Sequence, residues 1–183
     1  MTRPMIRFID ERFKKACKIS ARLGEPVIGL IGAEIGVWQG KNAEDIIKTL
    51  SLEKLYLIDP YLPYVDGDKR NPKLTDPSPF KEEAKNRLMK YANQVILDWR
   101  FHKSIEASKD ILPHLDFAYL DGDHTYENVS KELEAFYPLI KSGGVMGGHD
   151  INFYGVMKAV GEFAEKYRLH PMTDEQDWWI VKP

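Results

Sequence analysis

Residues 115–150 read LDFAYLDGDHTYENVSKELEAFYPLIKSGGVMGGHD, and the reading of this stretch decides the fold. Phe117 to Leu120 form a short apolar run, as a strand buried on both faces requires. Asp121, Gly122, Asp123 and His124 follow at once. Val129, Leu133, Phe136 and Ile140 then recur at helical spacing, which predicts a helix over 126–141 ending in KSGG. A second buried run, GVMGGHD, also ends on charge, at His149 and Asp150. Asp and Gly also build plain surface turns, so 121–124 is either a turn or a site.

Working outward, the same alternation continues in both directions. Ile6, Ile9, Phe13, Ala16, Ser20 and Leu23 mark an amphipathic helix over 5–23, within an N-terminal segment 1–25 closed near Gly24. VIGLIGAEIGV and KLYLID read as the first two strands. Between them, Asn42 is the expected N-cap of a helix through Leu50, with Glu44 and Asp45 in its first turn. Residues 61–79 hold four prolines and no regular period, so they form a long loop insertion, read as an active-site loop. Within it, Asp66-Gly67-Asp68 lacks calcium-loop spacing and is a solvated turn. Ser78 and Pro79 start a helix to about Ala92, QVILDW is the third strand, and a short helix follows Ser104. Met157, Val160, Phe163, Ala164 and Tyr167 line a last helix. Two short strands, 169–172 and 178–181, flank the turn TDEQ and must pair antiparallel. Trp178 and Trp179 therefore face opposite sides, one in the core and one available to a partner subunit in a homodimer.

The expected fold is α/β, one domain over 1–183 with a mostly parallel sheet. At 43% hydrophobic and 30% charged residues, the 183-residue chain is globular in composition. A formal net charge of −2 and the lack of a basic stripe argue against nucleic acid or an anionic membrane as partner. Cys17 is the only cysteine, which excludes an intrachain disulfide and a Cys-rich zinc site. With no signal-like apolar stretch near the N-terminus, the expected location is cytoplasmic.

Glu34, Gly36 and Gly40 lie between the first strand and its helix. Glycine there lets the backbone turn sharply and a ligand approach, and the helix N-terminus offers free N–H groups. An empty strand-to-helix turn is the alternative. Asp59 ends the second strand about twenty residues past Gly40, where an acid accepts from both ribose hydroxyls of a nucleoside cofactor. Its alternative is a turn residue before Pro60. The dinucleotide spacing G-x-G-x-x-G is absent, because Trp38 stands where a pyrophosphate needs bare glycine.

AEIGVWQGKNA, LYLIDPY, the long 115–150 stretch and DWWIVK together resemble the class I S-adenosylmethionine-dependent methyltransferases, in particular the small group related to macrocin O-methyltransferase. The resemblance implies a Rossmann-like three-layer sandwich whose seven-stranded, mostly parallel sheet has an antiparallel last strand. It implies that Glu34, Gly36 and Gly40 cradle the methionine part, that Asp59 holds the ribose, and that Pro60 or Tyr61 flanks the adenine. Ser104 stands where relatives contact the base or start the next helix. The acid often found just before it is Lys103 here.

Asp121 and Asp150 end what would be adjacent strands ~4.8 Å apart, so their carboxylates can converge on one Mg²⁺ or Mn²⁺. Catechol-type methyltransferases resemble this arrangement, though Ile151 replaces their Asn after the second acid. The sulfonium already activates the methyl group, so the protein must align a hydroxyl acceptor and remove its proton, by a base or by a metal. His124 and His149 are the candidate bases, with a satisfied structural histidine as the alternative for each. Asp123 suits a turn or N-cap. The expectation is O-methyl transfer to a small-molecule acceptor, with Asp121 at the centre of the site. Its rivals are a non-catalytic S-adenosylmethionine-binding domain with a regulatory role and an NAD-dependent oxidoreductase.

Overall fold

Pro4 opens helix α1 (Pro4–Leu23), where its missing N–H costs nothing, and Gly24 closes it in the left-handed conformation at φ 72°. The computed structural model describes residues 2–24, 26, 28–65 and 74–183. Only the first half of α1 is anchored, through buried Met5, Ile6 and Ile9. Ala16 and Leu23, expected on the buried stripe, are exposed.

The chain then alternates through β1 (Leu30–Ile35), α2 (Lys41–Thr49), β2 (Leu52–Ile58), the antiparallel pair of two-residue strands β3 (Tyr64–Val65) and β4 (Leu74–Thr75), and α3 (Ser78–Leu88). It continues through β5 (Ile96–Arg100), α4 (Ser104–Ser108), β6 (Leu115–Leu120), α5 (Tyr126–Phe136), β7 (Ile140–Gly148), α6 (Tyr154–Tyr167), β8 (Met172–Asp174) and β9 (Asp177–Val181). The main sheet has seven strands in the order β5-β2-β1-β6-β7-β9-β8. Pairings from β5 to β7 are parallel, and β9 enters antiparallel between β7 and β8. This is the expected Rossmann-like sandwich. Apolar clusters cover both sheet faces, around Phe136 and Trp178 on one and around Phe117 and Trp179 on the other.

Several boundaries differ from expectation for local reasons. Asn42 does not cap α2; Gly40 does, at φ 72°, and Asn42 lies inside the first turn. The helix expected to reach 141 stops at Phe136, and Ile140 begins β7. Pro138 lies in the 3₁₀ turn between them; its ring and missing N–H make an α-helix through that point costly. The 61–79 insertion carries the β3–β4 pairing at its margins, and the expected Asp66-Gly67-Asp68 turn lies outside the described residues. Trp178 and Trp179 face opposite sides, but both are buried, at 0% and 7% exposure. Trp179 meets Phe8 of α1 at 5.3 Å, so this side chain is covered by the chain's own first helix rather than offered to a partner subunit. Among the described residues, no helix is long and apolar enough to cross a membrane.

Candidate functional site

Parallel strands β2, β1, β6 and β7 are neighbours and end on one edge, which brings Asp59, Gly36, Asp121 and Asp150 to that edge. The geometry begins with Gly36. Its φ is 87°, its N–H donates to the Ile58 carbonyl at 2.9 Å, and a Cβ there would lie 2.1 Å from the Asp121 carbonyl oxygen. Any other residue would push the turn away from β6, so glycine is required by both conformation and space. The Asp121 N–H donates to the Ile35 carbonyl at 2.7 Å, which ties the two loops together.

Asp59 organises the turn on the β2 side. Its Oδ2 accepts from the Trp38 N–H at 2.9 Å and its Oδ1 from the Tyr61 N–H at 2.8 Å. Trp38 and Tyr61 both have positive φ, 51° and 45°, so the carboxylate holds two strained turns in place. Burial raises the Asp59 pKa, opposed by those backbone donors. Tyr61 is buried at 8% exposure, and its hydroxyl donates to the Trp38 carbonyl at 2.7 Å. Pro60 is half-buried between Asp59 and Tyr61. Glu34 is fully buried and accepts from Asn42 Nδ2 at 2.8 Å; burial pushes it up to about 8.

The β6–β7 side is built from charge. His124 Nε2 lies 3.1 Å from Asp150 Oδ2 and 3.6 Å from Asp121 Oδ1. Neither contact has the geometry of a hydrogen bond, the one to Asp121 being too long, so a buried nitrogen sits between two carboxylates. One ligand atom each from Asp121, His124 and Asp150 falls within a 4.8 Å group. Two carboxylates and an imidazole so arranged fit a divalent cation by donor type and spacing. His149 is drawn to the same cluster, with Nδ1 3.0 Å from Asp150 Oδ1. Asp150 itself sits at φ 59°, a strained setting for a non-glycine residue at the end of a strand. Burial would raise Asp121, but interaction with His124 and the charges of Arg3 and His149 hold it below the usual carboxylate range. His124 is raised, first by Asp121 and then by the charges of Asp150 and Asp123, against burial.

Arg3 is the member that sequence reasoning missed. From the start of α1 its Nη1 reaches Asp121 Oδ2 at 2.9 Å and donates to the Tyr119 hydroxyl at 2.8 Å. Tyr119 in turn donates to Asp177 Oδ1 at 2.8 Å, and the Met5 N–H donates to Asp177 Oδ2 at 3.0 Å. This chain of contacts fastens the N-terminal helix to β9 and to the site. No local signal marks Arg3, because its partners lie more than a hundred residues away. Asn42 was read only as a cap, and its amide is instead turned inward to Glu34.

Two expected residues stand apart. The Ser104 hydroxyl donates to Glu132 Oε1 at 2.7 Å and thus tethers α4 to α5 rather than pointing free. Glu132 is 6% exposed, and burial pushes it up to about 7. Asp123 is the turn residue expected. Its Oδ1 accepts from the Thr125 N–H at 2.9 Å, and Asn128 Nδ2 donates to its Oδ2, so it satisfies the start of α5.

Known proteins share both the sequence pattern and the architecture. A family model described as a methyltransferase domain matches residues 33–151. An uncharacterized protein of Acanthamoeba polyphaga mimivirus is 25% identical over 122 residues, 66% of this chain and 51% of its own length. The chain thus spans about half the length of the curated relative it matches. The O-methyltransferase NovP superposes with a TM-score of 0.59 at 18% identity, over 97% of this chain and 79% of NovP. A Streptococcus mutans protein solved in complex with S-adenosylhomocysteine superposes with a TM-score of 0.57 at 10% identity, over 82% of this chain and 86% of that one. At such identities these structures speak for the fold.

Proposed function

The chain belongs to the methyltransferase-domain family, and from that premise we propose that it transfers a methyl group from S-adenosylmethionine to a hydroxyl of a small molecule. The observation that carries this reading is the contact between the glycine turn at Gly36 and the backbone of Asp121. A ligand cradled by the turn would lie beside the charged cluster, so donor and acceptor would share a wall. Effective alignment is most of what the reaction needs, since the sulfonium already makes the methyl group electrophilic.

In this reading Glu34, Gly36 and Gly40 receive the methionine part. The Asp59 carboxylate, already fixed by two N–H donors, accepts from the ribose hydroxyls. Pro60 flanks the adenine, and Tyr61 braces the turn from behind. The acceptor hydroxyl approaches from the β6–β7 side. There His124 or His149 takes the proton as the oxygen attacks the methyl carbon in line, and Asp121 and Asp150 stabilise the resulting imidazolium. Asp121, His124 and Asp150 are also the residues that would hold Mg²⁺ or Mn²⁺, which would supply a lowered hydroxyl pKa. Phe153, half-exposed with its ring 5.3 Å from that of His124, gives the acceptor an apolar wall.

Titration calorimetry with S-adenosylhomocysteine tests the cofactor assignment, with NAD as control. Micromolar binding is expected, and Asp59→Ala weakens it roughly 100-fold through two lost charge-assisted hydrogen bonds. Binding of NAD without S-adenosylhomocysteine would overturn the reading in favour of an oxidoreductase.

A further inference from the structure

One oxygen of the Asp121 carboxylate is already answered by a cation from the other end of the chain. Arg3 Nη1 lies 2.9 Å from Asp121 Oδ2, while Oδ1 is the oxygen turned to His124 at 3.6 Å. The Arg3 and Asp121 side chains are only 28% and 16% exposed, so water and salt screen the pair in part. Asp150, the other acid of the cluster, meets His124 and His149, which are charged only when protonated. Among the described residues, Arg3 is therefore the one permanently charged partner of the cluster.

That charge is held on a short tether. Arg3 is the residue from which α1 starts, and its carbonyl accepts from the Arg7 N–H at 3.1 Å. Its guanidinium carbon stands 5.4 Å from the centre of the Tyr119 ring, and Nη1 donates to the Tyr119 hydroxyl at 2.8 Å. Asp177 holds that hydroxyl and the Met5 N–H together. Docking of α1 thus delivers a positive charge to Asp121, and undocking withdraws it. A divalent ion on Asp121, His124 and Asp150 would meet the same charge a few ångströms away, where like charges repel strongly.

We propose that Arg3 is a tethered cation that competes with the divalent ion for Asp121, so that docking of α1 and binding of the ion oppose each other. The inference rests on the divalent-ion reading of the cluster. The opposition is reciprocal: the factor by which docked Arg3 lowers ion affinity is the factor by which the bound ion lowers the docking of α1. The rival role for Arg3 is to orient Asp121 for the ion, and its loss would then weaken ion binding. The two roles differ in sign.

The test is titration of the full chain with Mn²⁺, read as loss of the free-ion signal in electron paramagnetic resonance. Arg3→Gln is expected to bind Mn²⁺ about tenfold more tightly than the natural chain, and Arg3→Lys, which keeps the charge, within about threefold of it. Hydrogen exchange of the natural chain is the second measurement and serves where Arg3→Gln fails to fold. With saturating Mg²⁺, the Met5 and Arg7 amides are expected to exchange faster by about the same factor. Affinity that falls or stays level in Arg3→Gln, or rises equally in Arg3→Lys, overturns the competition and leaves the divalent-ion reading standing. Exchange that slows or holds under Mg²⁺ does the same. Absence of Mn²⁺ binding in the natural chain and in both variants overturns the divalent-ion reading, and the competition with it.

Discussion

The two halves of the site are made differently. The β1–β2 half is made of backbone: Gly36 at φ 87°, Gly40 at φ 72°, and strained turns at Trp38 and Tyr61 held by one carboxylate, Asp59. The β6–β7 half is made of side chains: Asp121, His124, His149, Asp150 and Arg3, each within 4 Å of an opposite charge or of a group that can acquire one. The first half has the parts to grip a ligand by shape. The second has the parts to move a proton. The difference teaches that shape can be encoded by neighbours in sequence, whereas a balanced charge cluster needs distant elements to meet.

Asp121→Asn breaks the contrast most severely. It removes the carboxylate that Arg3 and His124 share, and methyl transfer is expected to fall by roughly 10²–10⁴-fold, the usual worth of general acid–base chemistry. Affinity for S-adenosylhomocysteine changes only a few-fold, because the glycine turn touches the Asp121 backbone rather than its carboxylate. Equal losses in both measurements would show that the halves are one unit.

Glu34→Gln sharpens the comparison from the other side. Between pH 5 and 8 the folded chain holds a proton on Glu34 that the unfolded chain has already released, so raising the pH favours unfolding. Stability of the natural chain should decline across that window and level off above it. From a shift of 4.5 to about 8, the decline is on the order of 5 kcal/mol. Glu34→Gln should remove most of it, so denaturant unfolding at pH 8 finds the variant the more stable protein. A common slope in both would mean that Glu34 is charged throughout.

Ser104→Ala carries the smallest effect. It deprives buried Glu132 of its hydroxyl donor and should cost about 1–2 kcal/mol in the same unfolding assay. S-adenosylhomocysteine affinity should stay within about threefold, since the Ser104 hydroxyl is turned to α5. A larger loss of affinity would return Ser104 to the base-contacting role that the family resemblance suggests.

Legibility followed the range of the interactions. The strand runs, the glycine turn and the acids at strand ends were readable because each depends on a period or spacing within a few residues. The antiparallel ending was readable because two strands joined by a short turn have no other way to pair. Asn42 misled because a residue favoured at caps was judged from position alone, while a buried carboxyl group one strand away drew its amide inward. The 126–141 helix was overextended because apolar spacing outweighed Pro138 in the reading, and the backbone obeyed the proline. One of the pair Trp178 and Trp179 was offered to a partner subunit because nothing in their own neighbourhood announces that α1 packs across Trp179.

By itself the sequence determined a doubly covered, mostly parallel sheet and the edge at which chemistry can gather, since both follow from periodicity and from residues at strand ends. Only the tertiary structure decided which charges meet. Arg3 to Asp121 spans the chain from the start of α1 to the end of β6, and His124 reaches Asp150 only because β6 and β7 lie side by side. Coulomb attraction and hydrogen bonding act over a few ångströms of space, whatever the distance along the chain.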